Sequence, residues 1–260
     1  MTSRTYLDSI LAWHRRRAAA DTRELAALVA RASACAPARG FAASLRGVQH
    51  LAVIAEIKRR SPSKGDLNAG LDPAALARAY EAGGASCLSV LTDSEHFGGS
   101  EADLAAARSA CRLPVIRKDF TVDPRDVCDA RIMGADCVLL IAAALSASEL
   151  ELMLRVAAEV GIDALIETHD EREIESAVSA GATLVGVNQR DLVTFEVDHE
   201  RAVRVAAAIP EGVVRVAESG VRGRADAQSL RAAGYHAVLV GEHLVTAADP
   251  ASALRGLLVP

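Results

Sequence analysis

The sequence predicts a closed (β/α)8 TIM barrel with an N-terminal helical extension, and three observations predict it. Glycine recurs at the ends of helical stretches, with an apolar strand two or three residues later, at Gly84, Gly134, Gly161, Gly181 and Gly234. A glycine at that position permits the left-handed turn that leads out of a helix. The gaps between these glycines are 50, 27, 20 and 53 residues, so each long gap holds one further unit, "LPVIRKDF" (113–120) and "GVVRVAESG" (212–220). Finally, the chain is 51% hydrophobic but only 3% aromatic, as expected of short aliphatic strands buried on both faces by Ala-rich helices.

The elements follow in order. "AWHRRRAAADTRE" (12–24) reads as an N-terminal helix with a solvated face, because Asp8, Asp21 and Glu24 interrupt what otherwise resembles a transit peptide. "LAVIAEIK" (51–58) opens the strand series and brings the count to eight. Helical stretches such as "DPAALARAYEA", "SASELELMLRVAAEV" and "DEREIESAVSA" separate the strands. The 260 residues are therefore expected to form a single barrel domain, of which about 1–50 are the extension. A doubly wound sheet has fewer strands as a rule, and its G-x-G-x-x-G signature is missing after the first strand.

Composition removes several function classes. A net charge of -5 and a pI near 5.8 provide no global basic field, so neither nucleic acid nor an acidic membrane is an expected partner. The five cysteines are odd in number, lack a C-x-x-C pair and mostly sit in apolar runs, which fits a reducing cytoplasm rather than a disulfide frame. No apolar run reaches the roughly 18 residues of a membrane span, and no hydrophobic signal region opens the chain. The seven histidines show neither H-x-H nor H-E-x-x-H spacing, so no metal is expected, and no G-x-S-x-G elbow supports a serine triad.

Barrels of this class build their sites at the C-terminal strand ends. The first strand ends in Glu56 and Lys58, two apart and so on one face, while Val53, Ala55 and Ile57 take the opposite phase toward the helices. The third ends in Lys118 and Phe120, the fifth in Glu167, the sixth in Asn188 with Arg190 beyond it, and the seventh in Glu218 and Ser219. Any one of these reads equally well as a solvated loop charge, but five strands ending this way argue against coincidence. Interleaved cations and carboxylates shift each other's pKa values, as general acid–base chemistry requires. Gly220 after the seventh strand and Gly241 after the eighth stand beside short helix starts, where backbone N–H groups can hold a phosphate. The basic stretch "KRRSPSKG" (58–65) is expected to close over that ligand and add hydroxyls and positive charge.

In order and position, "EIKRRSPSKG", "RKDF", "LIET", "VNQRDL", "VAESGV" and "VLVGE" resemble the strand ends of the indole-3-glycerol phosphate synthase family, over essentially residues 5–258. The resemblance implies conversion of 1-(2-carboxyphenylamino)-1-deoxyribulose 5-phosphate to indole-3-glycerol phosphate, with loss of CO2 and water and with no cofactor or metal. It implies that Lys118 is the general acid, that Glu56 orients Lys58, and that Glu167 with Lys58 manages proton removal and loss of hydroxide. Asn188, Arg190, Glu218 and Ser219 would position the substrate, Ser61, Gly220 and Gly241 its phosphate, and Phe97 and Phe120 its aromatic ring. His243 stands where the family usually has Ser, which bears on one phosphate contact, and Gln189 replaces a more familiar Asn. The remaining alternatives are a phosphoribosylanthranilate isomerase-like barrel, a Schiff-base aldolase using Lys118 or Lys58, and a non-catalytic phosphate-binding barrel. A cytoplasmic monomer or weak homo-oligomer acting on a small phosphosugar–anthranilate is the expectation for partners and location.

Overall fold

A computed structural model describes residues 5–61 and 64–260. Three helices come first, α1 (Tyr6–Ala20), α2 (Leu25–Ser33) and α3 (Phe41–Arg46). Eight strands then alternate with helices: β1 (Ala52–Ile57), β2 (Cys87–Leu91), β3 (Val115–Lys118), β4 (Cys137–Ile141), β5 (Asp163–Thr168), β6 (Leu184–Asn188), β7 (Val214–Glu218) and β8 (Ala237–Val240). Helices α4 (Pro73–Gly83), α5 (Glu101–Ala110), α6 (Pro124–Met133), α7 (Ala147–Val160), α8 (Glu171–Ser179), α9 (Arg201–Val205) and α10 (Arg224–Ala232) follow β1 to β7 in turn. A short helix, Glu242–Val245, and α11 (Pro250–Arg255) follow β8.

All eight strands are parallel, and the ring closes where β1 pairs with both β2 and β8. This is the (β/α)8 barrel that the glycine spacing predicts. Gly84 and Gly134, at φ +94 and +97, end α4 and α6 in the left-handed conformation, and each helix leads into its strand within three residues.

Strand alternation divides the core in two. Val53, Ala55 and Ile57 of β1 join the layer between sheet and helices, while Ala52 and Ile54 point into the barrel with Cys87, Ile116, Leu139, Leu165, Val216 and Leu239. Phe41 and Leu45 of α3 belong to that inner cluster and are fully buried, so the end of the extension plugs the barrel floor. At the other end α1 lies over the mouth. Its arginines are less free than a solvated face implies: Arg15 pairs with Glu149 at 2.9 Å and Arg17 with Asp126 at 2.8 Å. Cys87, Cys111, Cys128 and Cys137 are buried free thiols, and Cys35 is partly exposed.

Candidate active site

The inward phase of β1 continues past Ile54 to Glu56, and the chain then presents Lys58, so the two meet with Nζ 2.5 Å from Glu56 Oε1. Ser89 of β2 donates to the other oxygen of Glu56 at 3.4 Å. At the end of β3, Lys118 points inward between two carboxylates, 2.8 Å from Glu167 Oε2 and 3.5 Å from Glu218 Oε2. Asn188 donates from Nδ2 to Glu167 Oε1 at 3.0 Å and accepts from Ser219 Oγ at 2.8 Å. The ring predicted from strand ends thus meets around one space.

Two missing side chains make room for it. A Cβ at Gly186 would lie 2.1 Å from Glu218 Oε1, and one at Gly241 would lie 2.4 Å from Glu56 Oε1 and 3.2 Å from Lys58 Nζ. Ser219 takes φ +66, one of two non-glycine residues in the left-handed region among those described, and Gly220 follows at +74. The other is Phe195, which also lines the cavity. Strained backbone gathered around a cavity is characteristic of functional sites.

The charges sort themselves by environment. Burial works against the Lys118 ammonium, but Glu167, Glu218 and Glu56 together hold its pKa well above the ordinary lysine range. Burial likewise opposes the Glu167 carboxylate, yet Lys118, His169 and the Asn188 hydrogen bond keep it down at about 2. For Glu218, burial together with repulsion from Glu167 and Glu56 outweighs the attraction of Lys118 and pushes it up to about 8. At neutral pH the site therefore holds a cationic ammonium, an anionic carboxylate and a protonated carboxyl side by side.

These groups form the floor of a cavity of about 530 Å³, within the size range of small-molecule sites. Phe97 and Phe120, with ring centroids 6.2 Å apart, line it together with Leu139, Ile141 and Leu239. Ser61, Arg190, Gly220, Gly241 and His243 also line it, so every candidate site residue opens onto one space. Arg190 donates from Nη1 to the Phe195 carbonyl at 3.0 Å. Gln189 turns away and donates from Nε2 to the Ser219 carbonyl at 2.9 Å.

The basic stretch after β1 needs a correction. Arg59 faces outward to Asp103, with both nitrogen–oxygen distances 2.9 Å, and to the carbonyls of Ala69 and Leu71. Arg60 binds the Glu95 carbonyl. Both side chains are turned to the loop and the barrel, although Arg60 Nε has no partner among the described residues, so Lys58 and Lys64 are left as its cations at the cavity. Lys64 is paired with Glu242 at the rim. Arg60–Ser61 and Gly65–Asp66 form a two-stranded ribbon, and the hydroxyl expected from Ser63 lies outside the described residues.

The extension contributes more than sequence patterns indicate. Tyr6, Leu7 and Ile10 of α1 line the cavity. Near them His14, 1% exposed, places Nε2 2.9 Å from Asp93 Oδ2, and His96 places Nδ1 3.0 Å from the same oxygen. This bridge docks α1 on the loop after β2. Histidine spacing could not reveal it, because His14 and Asp93 are 79 residues apart. The same trio is the one group of potential metal ligands among the described residues, and hydrogen bonds already link its members.

Gly241 yields a prediction that differs from a purely phosphate-binding role. Because its Cβ would press on Glu56 and Lys58, Gly241→Val is expected to lower kcat at least tenfold as well as raise KM. Steady-state kinetics that showed only a raised KM would contradict that contact.

The model of a known family, described as indole-3-glycerol phosphate synthase, matches residues 7–257. Indole-3-glycerol phosphate synthase 2 of Streptomyces coelicolor is 52% identical over 227 residues, 87% of this chain and 88% of that protein. The indole-3-glycerol phosphate synthase of Mycolicibacterium gilvum is 48% identical over 260 residues, 99% of this chain and 95% of that one. Among solved structures, 3-hexulose-6-phosphate synthase from Salmonella typhimurium superposes with a TM-score of 0.64 at 13% identity, over 80% of this chain and 96% of that chain. At that identity the likeness concerns the fold alone.

Proposed function

The chain belongs to the indole-3-glycerol phosphate synthase family, and from that premise we propose how its own residues divide the chemistry. The reaction is a lyase step of tryptophan biosynthesis. It closes the ring of 1-(2-carboxyphenylamino)-1-deoxyribulose 5-phosphate and releases CO2 and water to give indole-3-glycerol phosphate. The observation that carries the division of roles is Lys118 Nζ set between Glu167 and Glu218 on the cavity floor.

Attack of the carboxylate-bearing ring carbon on the ketone forms the new carbon–carbon bond and puts negative charge on the ketone oxygen. Lys118 donates a proton there. The ring is now an iminium, so the carbon–carboxylate bond breaks toward it and CO2 leaves without an external electron sink. Dehydration follows: Lys58, oriented by Glu56, protonates the departing hydroxide, and Glu167 takes the proton whose loss aromatises the five-membered ring. Two protons are given and one is taken, so each turnover draws one proton from solvent.

Glu218, Asn188 and Ser219 position the sugar hydroxyls, with Arg190 near the substrate carboxylate. Phe97 and Phe120 flank the anthranilate ring. Ser61, Gly220, Gly241 and His243 face the phosphate, with the unpaired amides that open any helix as donors. No helix among the described residues is long and apolar enough to cross a membrane. The cytoplasm is the proposed location, which the buried free thiols support. Val193 is the sole large apolar side chain exposed among the described residues, which supports a monomer or weak homo-oligomer.

Indole fluorescence developing when the purified chain meets the anilino substrate tests the function, and an isomerase or a binding protein would produce none. For His243, which departs from the family, a phosphate contact predicts that His243→Ala raises KM several-fold with kcat little changed, and an unchanged KM would remove the contact.

A further inference from the structure

Glu167 is 1% exposed, and one side of it lines the cavity. Its far side meets a residue outside the cavity lining. His169 places Nε2 3.8 Å from Glu167 Oε1. The other ring nitrogen, Nδ1, lies 3.0 Å from Glu173 Oε2, and the same oxygen accepts from the His169 backbone N–H at 2.8 Å. Glu173 sits in the first turn of α8 with its side chain 23% exposed.

The geometry constrains the proton. A carboxylate that already accepts a backbone N–H at one oxygen holds Nδ1 as a donor, so a neutral imidazole would turn its Nε2 lone pair toward Glu167. Nε2 is buried and has no hydrogen-bond partner among the described residues. Two acceptors facing each other out of water are stable only with a proton between them.

We infer that His169, oriented by Glu173, is a positioning residue for the reaction: it keeps a proton on Nε2 against Glu167 and links that carboxylate to the outer side of the barrel. The inference rests on Glu167 acting as the base. Its direction agrees with the electrostatics. Burial lowers the His169 pKa, but the Glu173 hydrogen bond and the charges of Glu167 and Glu173 raise it above the ordinary value. Arg201, at the start of α9, opposes this, and Asp191, after β6, and Glu218 are the remaining charged neighbours acting on or felt by the ring. Lys118 lies on the opposite side of Glu167.

Protonated His169 helps keep Glu167 ionised, so removing it should let the Glu167 pKa rise and move the acidic limb of kcat to higher pH. For His169→Gln the expected shift is about one pH unit upward from about 2, the low end for loss of an opposite charge at this distance, so kcat is compared between about pH 3 and 5, below the neutral range. KM should stay within about threefold. Glu173→Gln, at a partly exposed position, should shift the limb the same way by less and serves if His169→Gln folds poorly. A uniform fall in kcat at every pH, or a change in KM alone, would overturn the inference and leave His169 a packing residue. Glu167→Gln separates the two readings: full activity there removes the base itself, whereas lost activity there with an unmoved limb in His169→Gln and Glu173→Gln removes only the dyad.

Discussion

Lys118→Ala is expected to lower kcat by about 10²–10³ while substrate binds within about tenfold of normal. The magnitude is that of losing one preorganised donor to a developing oxyanion, and binding survives because the proton is needed chiefly in the transition state. The substitution also leaves Glu167 and Glu218 facing each other without the cation between them. Removing that cation takes away the largest attraction that keeps the Glu167 carboxylate ionised, so the Glu167 pKa should rise in the variant as the acid is lost. Stopped-flow indole fluorescence measures kcat directly, and a variant retaining a tenth of normal turnover would show that Lys118 is not the acid.

Glu167→Gln is expected to lower kcat by about 10²–10⁴, the range for removal of a general base. Gln keeps the shape and can still accept from Asn188, but it cannot take a proton. In the wild-type chain the carboxyl, held at about 2, is ionised throughout the neutral range, so the variant's deficit should be nearly constant from about pH 6 to 8. A deficit that vanished toward alkaline pH would mean that another group can serve as base.

The barrel was legible because its signals are local and repeated. Each strand is buried on both faces and reads as an aliphatic run, and the glycine before most of them marks the turn out of a helix. The floor of the site was legible for the same reason, since period-two alternation carries Glu56 and Lys58 inward once Val53 and Ile57 face the helices. What remained hidden depends on long-range contact. Nothing in "RRSPSKG" tells Arg59, bound to Asp103 on α5, from Lys64 at the rim. Tyr6, Leu7 and Ile10 reach the cavity only because α1 docks across the mouth, and the His14–Asp93–His96 bridge that seats it joins distant parts of the chain. The crowding of Gly241 against Glu56 is a three-dimensional fact of the same kind.

The division of labour between Lys118 and Glu167 has one most direct test, the release of CO2 in a single turnover. Quenched-flow mixing of excess enzyme with substrate carrying a labelled carboxylate would follow CO2 and indole fluorescence together. In the proposed division Lys118 acts before decarboxylation and Glu167 after it, so Glu167→Gln should release close to one CO2 per substrate while fluorescence lags far behind, and Lys118→Ala should slow both alike. A Glu167→Gln enzyme whose CO2 and fluorescence were delayed equally, or a Lys118→Ala enzyme that released CO2 at the normal rate, would contradict the assignment.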